Sequence, residues 1–105
     1  MNELRHYVII RADLPFGVQL AQTIHAAGES CDGPLHSGTY AIALYARDEA
    51  HLDELAAKLW AAEIPHKIII ETDGLYSGQA MTIGLFPATD CENIRRVTSS
   101  LPLAK

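Results

Sequence analysis

Gln22 and His25 stand three residues apart in a segment, Val18 to Glu29, whose spacing predicts a helix, so both side chains project from adjoining parts of one face. An imidazole beside a carboxamide at a cleft could act as a general base, the amide fixing a water or a carbonyl. The same pair also reads as a packed or surface histidine held by a hydrogen bond, and a lone histidine does not separate the two readings. Upstream, Arg11 and Asp13 follow the apolar run Tyr7-Val8-Ile9-Ile10. Arg11 could grip a phosphate or carboxylate through two parallel hydrogen bonds, or be an ordinary strand-end arginine. Asp13 could orient His25, hold a ribose hydroxyl, or cap a turn. Asp73, Tyr76, Ser77 and Gln79 fall in or beside Thr72 to Gly78, T-D-G-L-Y-S-G. That loop could close over the same sheet edge, or be plain hairpin chemistry.

Such residues need a strand end that meets a helix start, where backbone N–H groups and the positive helix end converge on a ligand. Strand one is expected over Tyr7–Arg11, a continuous apolar run suited to burial on both faces. Pro15, Phe16 and Gly17 form the corner, and the helix starts at about Val18 with Val18, Ala21, Ile24 and Gly28 as its buried face. A turn-rich link containing Asp32-Gly33-Pro34 leads to strand two, Thr39–Tyr45. Asp48 caps the second helix, whose stripe is Leu52, Leu55, Ala56, Leu59 and Trp60. The helix stops near Glu63 because Pro65 disfavours helix at Ile64. Strand three is His66–Glu71 and strand four Ala80–Phe86. Thr89 and Glu92 form a capping box for a last helix to about Leu101 that buries Ile94, Val97 and Leu101. The order β-α-β-α-β-β-α makes strands one to three parallel, with right-handed crossovers and an antiparallel fourth. The expected fold is a three-layer α/β/α arrangement on a four-stranded mixed sheet, one domain over residues 1–105.

Composition bounds the function. The chain has 105 residues, 49% apolar and 20% charged, with a formal net charge of −5. An acidic balance argues against a surface given over wholly to nucleic acid, since phosphate binding relies on clustered Lys and Arg. Arg5, Arg11, Arg95 and Arg96 could still build one local basic patch. Cys31 and Cys91 fit neither a C-x-x-C pair nor a disulfide framework. The N-terminus lacks the apolar run of a signal peptide, and no segment approaches the roughly 20 apolar residues of a membrane span. A cytoplasmic protein with reduced thiols and no membrane partner is expected. The five histidines lack zinc-site spacing, and there is no Walker A, G-x-G-x-x-G or G-x-S-x-G. No cofactor or metal is therefore expected. The apolar second strand with Tyr40 and Tyr45 would suit a homodimer, and would equally suit a core.

The run V-I-I-R-A-D-L, followed by G-V-Q-L-A-Q-T-I-H-A-A, resembles the opening of the class II peptidyl-tRNA hydrolases, in which V-x-R-x-D-L leads through a glycine turn to A-A-Q-x-x-H-A. The resemblance extends over nearly the whole chain, with Glu54 to Pro65 similar to the family's second-helix region and Ile83-Gly84 before Pro87 similar to its A-I-G-P. Arg11, Asp13, Leu14, Gly17, Gln22 and His25 match position by position. The family's glycine turn carries a lysine implicated in catalysis, whereas Gly17-Val18-Gln19-Leu20 has none. Its D-A-G-x-T-Q region corresponds to Thr72 to Ser77, with Asp73 shifted by one residue and Tyr76 in place of threonine. The chain thus resembles a divergent, domain-like branch. The resemblance implies hydrolysis of the ester that joins a peptide to tRNA, with peptidyl-tRNA as partner through the local basic patch. His25 would activate water, Gln22 and Arg11 would position the ester or a phosphate, and Asp73 would orient or polarise. Asp13, Gly17 and Tyr76 would line the substrate. A non-catalytic binding domain that kept the fold, or a hydrolase of another small ester, are the alternatives.

Overall fold

The computed structural model describes residues 3–89 and 91–105. Its elements run β1 (Leu4–Arg11), α1 (Phe16–Glu29), β2 (Tyr40–Ala46), α2 (Glu49–Ala61), β3 (His66–Ile70), β4 (Ala80–Leu85), β5 (Ala88–Thr89) and α3 (Glu92–Thr98), with a single 3₁₀ turn at Gly74–Tyr76. The sheet order is β2-β1-β4-β3. β1 pairs with β2 in parallel, from Arg5 opposite Tyr40 to Arg11 opposite Ala46. β4 runs antiparallel to both β1 and β3. The expected α/β architecture and the antiparallel fourth strand are observed. One strand was not expected: the two-residue β5 pairs with Leu4 and Arg5 at the start of β1, so the sheet has five strands rather than four.

Alternation along β1 divides the core into two layers. Tyr7 and Ile9 face α2 and α3, joining Leu52, Leu55, Leu59, Ile83, Leu85, Ile94 and Val97. Val8 and Ile10 face α1 and meet Ala26, with Ala27, Ala43, Tyr45 and Ile69 around them. α2 forms as its stripe predicts, except that Trp60 is 80% exposed. Asp48 caps it, accepting from the His51 backbone N–H at 2.9 Å. The helix ends in a Schellman arrangement: Ile64 N–H donates to Leu59 O and Glu63 N–H to Trp60 O, each at 3.0 Å. Glu63 occupies the left-handed position at φ 56°. α3 departs from expectation. Its N-cap is Cys91, without a side-chain cap, because Thr89 is held in β5 and no capping box can form.

The outer edge of β2 is covered by the chain's own end. Tyr45 N–H donates to Pro102 O and Ala104 N–H to Ala43 O, both at 2.9 Å, and Leu103 bridges Leu44. At the opposite edge β3 pairs only with β4 among the described residues, leaving Ile68 and Ile70 40% and 49% exposed. Among the described residues no helix is long and apolar enough to cross a membrane.

Candidate functional site

Helix α1 packs on a face the apolar pattern did not foretell. Gln19, Gln22 and Ala26 are buried, while Leu20 and Ile24 face outward at 52% and 73% exposure. The expected face of Val18, Ala21, Ile24 and Gly28 is thereby corrected; Ala21 and Gly28 are exposed and Val18 only half-buried. Polar partners in the strands and loops explain the inversion. Gln19 Nε2 donates to Leu14 O at 2.8 Å and its Oε1 accepts from the Tyr45 hydroxyl at 2.7 Å, tying the β1–α1 loop to β2. Gln22 Nε2 donates to Glu71 Oε2 at 3.0 Å, tying α1 to the end of β3. Two buried amides that each satisfy a distant group do the work that a leucine stripe would do elsewhere.

The helix can lie this close because its last turn rests on Gly84. A Cβ added there would stand 2.5 Å from Ala26 O and 2.8 Å from Ser30 Cβ, and would strike Ser30 Oγ. Ser30 Oγ–H donates to Ala26 O at 2.7 Å, which commits its only proton. The 2.8 Å contact with His6 Nε2 therefore has the imidazole donating, fixing the Nε2–H tautomer. Burial lowers the pKa of His6 below its ordinary 6.5, in keeping with a neutral ring.

Between α1 and the open edge of β3 lies a cleft of about 670 Å³. Gln22, Ile24, His25 and Glu29 form one wall, and Ile68 through Thr72 the other. Gln22 is 5% exposed, and its Oε1 is shielded from solvent with no hydrogen-bond partner among the described residues. Its amide cannot be turned round, because the Glu71 carboxylate only accepts and must face the NH₂. An acceptor left in this state costs about 1–3 kcal/mol. His25 is exposed at the cleft. Glu71, read from sequence only as the last residue of a strand, is the cleft carboxylate that Gln22 reaches. Its Oε1 accepts from the Thr72 backbone N–H at 3.0 Å, which locks the second oxygen onto Gln22. Its place at the carboxyl end of a sheet strand was the available signal.

The other proposed residues gather elsewhere. Arg11 is 6% exposed and turned to the α2 side of the sheet, by the same parity as Tyr7 and Ile9. Its Nε and Nη2 donate to the two oxygens of Asp13 at 2.9 Å each, and Nη1 donates to Gln79 Oε1 at 2.9 Å and Ala80 O at 3.1 Å. The hydrogen bond with Asp13 raises the Arg11 pKa and lowers that of Asp13, outweighing burial in both; Glu49 and Tyr76 add to the field on the guanidinium. Glu49 also accepts from Ala80 N–H at 2.8 Å. Arg11 thus clasps β1, the following loop and β4. Gly17 lies in the first turn of α1 with open space where a side chain would be. Asp73 is exposed at the start of the 3₁₀ turn and makes no side-chain cap. Tyr76 is half-buried beside the Arg11 cluster. Of the seven residues singled out, the cleft brings together Gln22 and His25 and adds Glu71. Among the described residues no group of three His, Cys, Asp or Glu is placed to hold a metal.

Residues 4–104 match the family described as peptidyl-tRNA hydrolase PTH2. The chain belongs to that family. A solved structure of a protein of unknown function from Agrobacterium tumefaciens is similar over the full length of both chains, with a TM-score of 0.71 and 16% identity, a likeness of fold. No curated protein gives a significant match to the sequence.

Proposed function

We propose that this peptidyl-tRNA hydrolase family member cleaves the ester between an acyl group and the 3′ ribose of tRNA in the cleft between α1 and β3. The observation that carries the reading is the conjunction of exposed His25 with the hydrogen-bonded Gln22–Glu71 pair on the lining of one cleft. A water in the cleft, beside the Gln22–Glu71 pair, would lose one proton to His25. The hydroxide so formed attacks the ester carbonyl carbon, giving a tetrahedral oxyanion adduct. The adduct collapses by breaking the C–O bond to the ribose, and the imidazolium returns the proton to the departing 3′ oxygen. Glu71 holds Gln22 by accepting from its Nε2, which Asp73, exposed on its loop, is not placed to do. The reaction so drawn uses no cofactor or metal. We place it in the cytoplasm, with residues 1–105 acting as one domain, and Arg11, engaged inside the chain, does not meet the tRNA phosphates.

Hydrolysis of peptidyl-tRNA by wild type and His25→Ala tests this. Loss of turnover in a variant that remains folded supports the role of His25; equal rates refute it. A second reading, a binding domain that kept the fold, is favoured by one specific observation: Arg11 is engaged inside the chain and no lysine stands in the Phe16–Leu20 turn, so no cation is offered to a developing oxyanion from that side. Wild-type turnover would exclude it.

A further inference from the structure

Two edges bound the sheet, and the chain closes one of them. The β2 edge beside Tyr45 is taken by Pro102 and Ala104, whereas β3 pairs only with β4 among the described residues. The backbone groups left free on β3 follow from those already used. Pro65 O accepts from Phe86 N–H, and Glu71 both donates to Gln79 O and accepts from Gly78 N–H. Along an antiparallel strand the direction of these groups alternates. Pro65, Lys67, Ile69 and Glu71 therefore face β4, and the N–H and C=O of His66, Ile68 and Ile70 point out of the sheet. The bulge in this pair leaves the alternation intact, because its extra residue, Met81, lies on β4. Side chains alternate as well. Ile69 packs on the α1 side with Val8 and Ile10, so Lys67 and Glu71 share that side, and the exposed Ile68 and Ile70 lie on the other. An open edge of this kind is a template for another strand.

Charge says which strand it fits. If a second copy of β3 docks antiparallel about a two-fold axis, outward groups meet outward groups only when the axis passes through a residue rather than between two. With the axis at Ile69, Ile68 exchanges both backbone hydrogen bonds with Ile70 of the second copy. Lys67 then stands opposite Glu71 of that copy in the closer, non-hydrogen-bonded spacing. The two-fold makes each pair occur twice. An axis at Ile68 instead sets Lys67 against Ile69 and Glu71 against Pro65, and an axis at Ile70 sets Glu71 against Ile69. Lys67 is exposed and has no ion-pair partner among the described residues. We infer that β3 is a dimer interface, paired antiparallel with β3 of a second copy about an axis at Ile69. The joined sheet also changes the cleft. Its lining in one chain holds Glu29 and Glu71 and neither lysine nor arginine, and the second copy sets its Lys67 beside Glu71 on the open side. The inference stands on the strand edge and goes beyond the proposed hydrolysis. A dimer without turnover keeps it; turnover by a lasting monomer sinks it and keeps the hydrolase.

Sedimentation equilibrium over a range of concentrations, with amide hydrogen exchange, tests this on the full chain. Wild type should approach twice its 11.5 kDa as concentration rises. The Ile68 and Ile70 amides, unpaired within one chain, should exchange at least about tenfold more slowly in the dimer than after dilution. Lys67→Glu sets glutamate against glutamate at both ends of the interface and should weaken dimerisation at least about tenfold. Glu71→Lys should do the same with lysine against lysine. Mixing the two variants restores both opposite-charge pairs, so the mixture should dimerise as wild type does while neither variant does alone; the other two registers do not predict this. If Glu71→Lys fails to fold, having lost its bond to Gln22, wild type and Lys67→Glu decide. A monomer at every concentration, a dimer indifferent to Lys67→Glu, no recovery on mixing folded variants, or fast exchange at Ile68 and Ile70 in the dimer would each overturn the proposal.

Discussion

Replacing Gly84 by alanine should be the most damaging single methyl group that can be added to the sheet. The new Cβ would stand 2.5 Å from the Ala26 carbonyl oxygen, a backbone atom of α1 that cannot swing aside, and 2.8 Å from Ser30 Cβ. The last turn of α1 must lift from β4, and forced overpacking of this kind costs about 1–3 kcal/mol. Lifting also stretches the Ser30–Ala26 and His6–Ser30 hydrogen bonds, worth about 1 kcal/mol each. Against this, alanine is easier to order in a strand than glycine by about 0.5–1 kcal/mol. The balance is a net loss of about 2–3 kcal/mol. With a urea slope of roughly 1–3 kcal/mol per molar, the unfolding midpoint should fall by between about 0.7 and 3 M at unchanged slope. Because α1 carries Gln22 and His25, the variant should also disturb amide shifts along the cleft. A midpoint within about 0.2 M of wild type, well inside what such a slope resolves, would refute the claim that close approach at Gly84 sets the height of the helix.

Other consequences follow from single contacts. Glu63→Gly should stabilise the protein by about 0.5–1 kcal/mol in thermal or urea unfolding, since a glycine meets no Cβ penalty at the left-handed end of α2. His6 is held neutral, so its folded pKa lies below the unfolded value of 6.5. Its contribution is complete above pH 6.5 and is lost as pH falls from there toward the folded pKa, because the unfolded chain takes up the proton more readily. Urea midpoints at pH 7.5 and 5.5 should show the drop, and His6→Gln should flatten it. Arg11→Met should cost about 2–3 kcal/mol, below the range for a fully buried pair because Asp13 is partly exposed. That loss, measured by unfolding, should appear whether or not tRNA is present; a variant of wild-type stability that had lost only tRNA affinity would instead make Arg11 a ligand.

The strands, α2 and the order of elements along the chain were legible because apolar periodicity and turn residues agree there. Leu52, Leu55 and Leu59 face the core as their spacing requires, and Asp48 caps as its type suggests. Helix α1 was legible in extent and misleading in facing. Its apolar residues Leu20 and Ile24 lie outside, because Gln19 and Gln22 find buried partners at Leu14, Tyr45 and Glu71 that are distant in sequence. No local pattern carries that information. β5 is two residues long, too short to show a period. For the site, Gln22 and His25 were visible by type and spacing. Arg11 and Asp13, two residues apart, satisfy each other, and a sequence cannot say whether a strand-end arginine will find its anion within the chain or outside it. Glu71 was passed over because one carboxylate at a strand end has no motif around it; what makes it notable is the amide that reaches it from α1.

The most direct test of the account is a single-turnover peptidyl-tRNA hydrolysis assay at low salt, where an acidic protein holds tRNA best, comparing wild type with His25→Ala. The account predicts peptide release by the wild type and a loss of about 10²-fold or more in the variant, the contribution typical of a general base, with the variant's unfolding midpoint unchanged because His25 is exposed. No release by the wild type, or equal release by both, would contradict it and move the cleft from catalysis to binding.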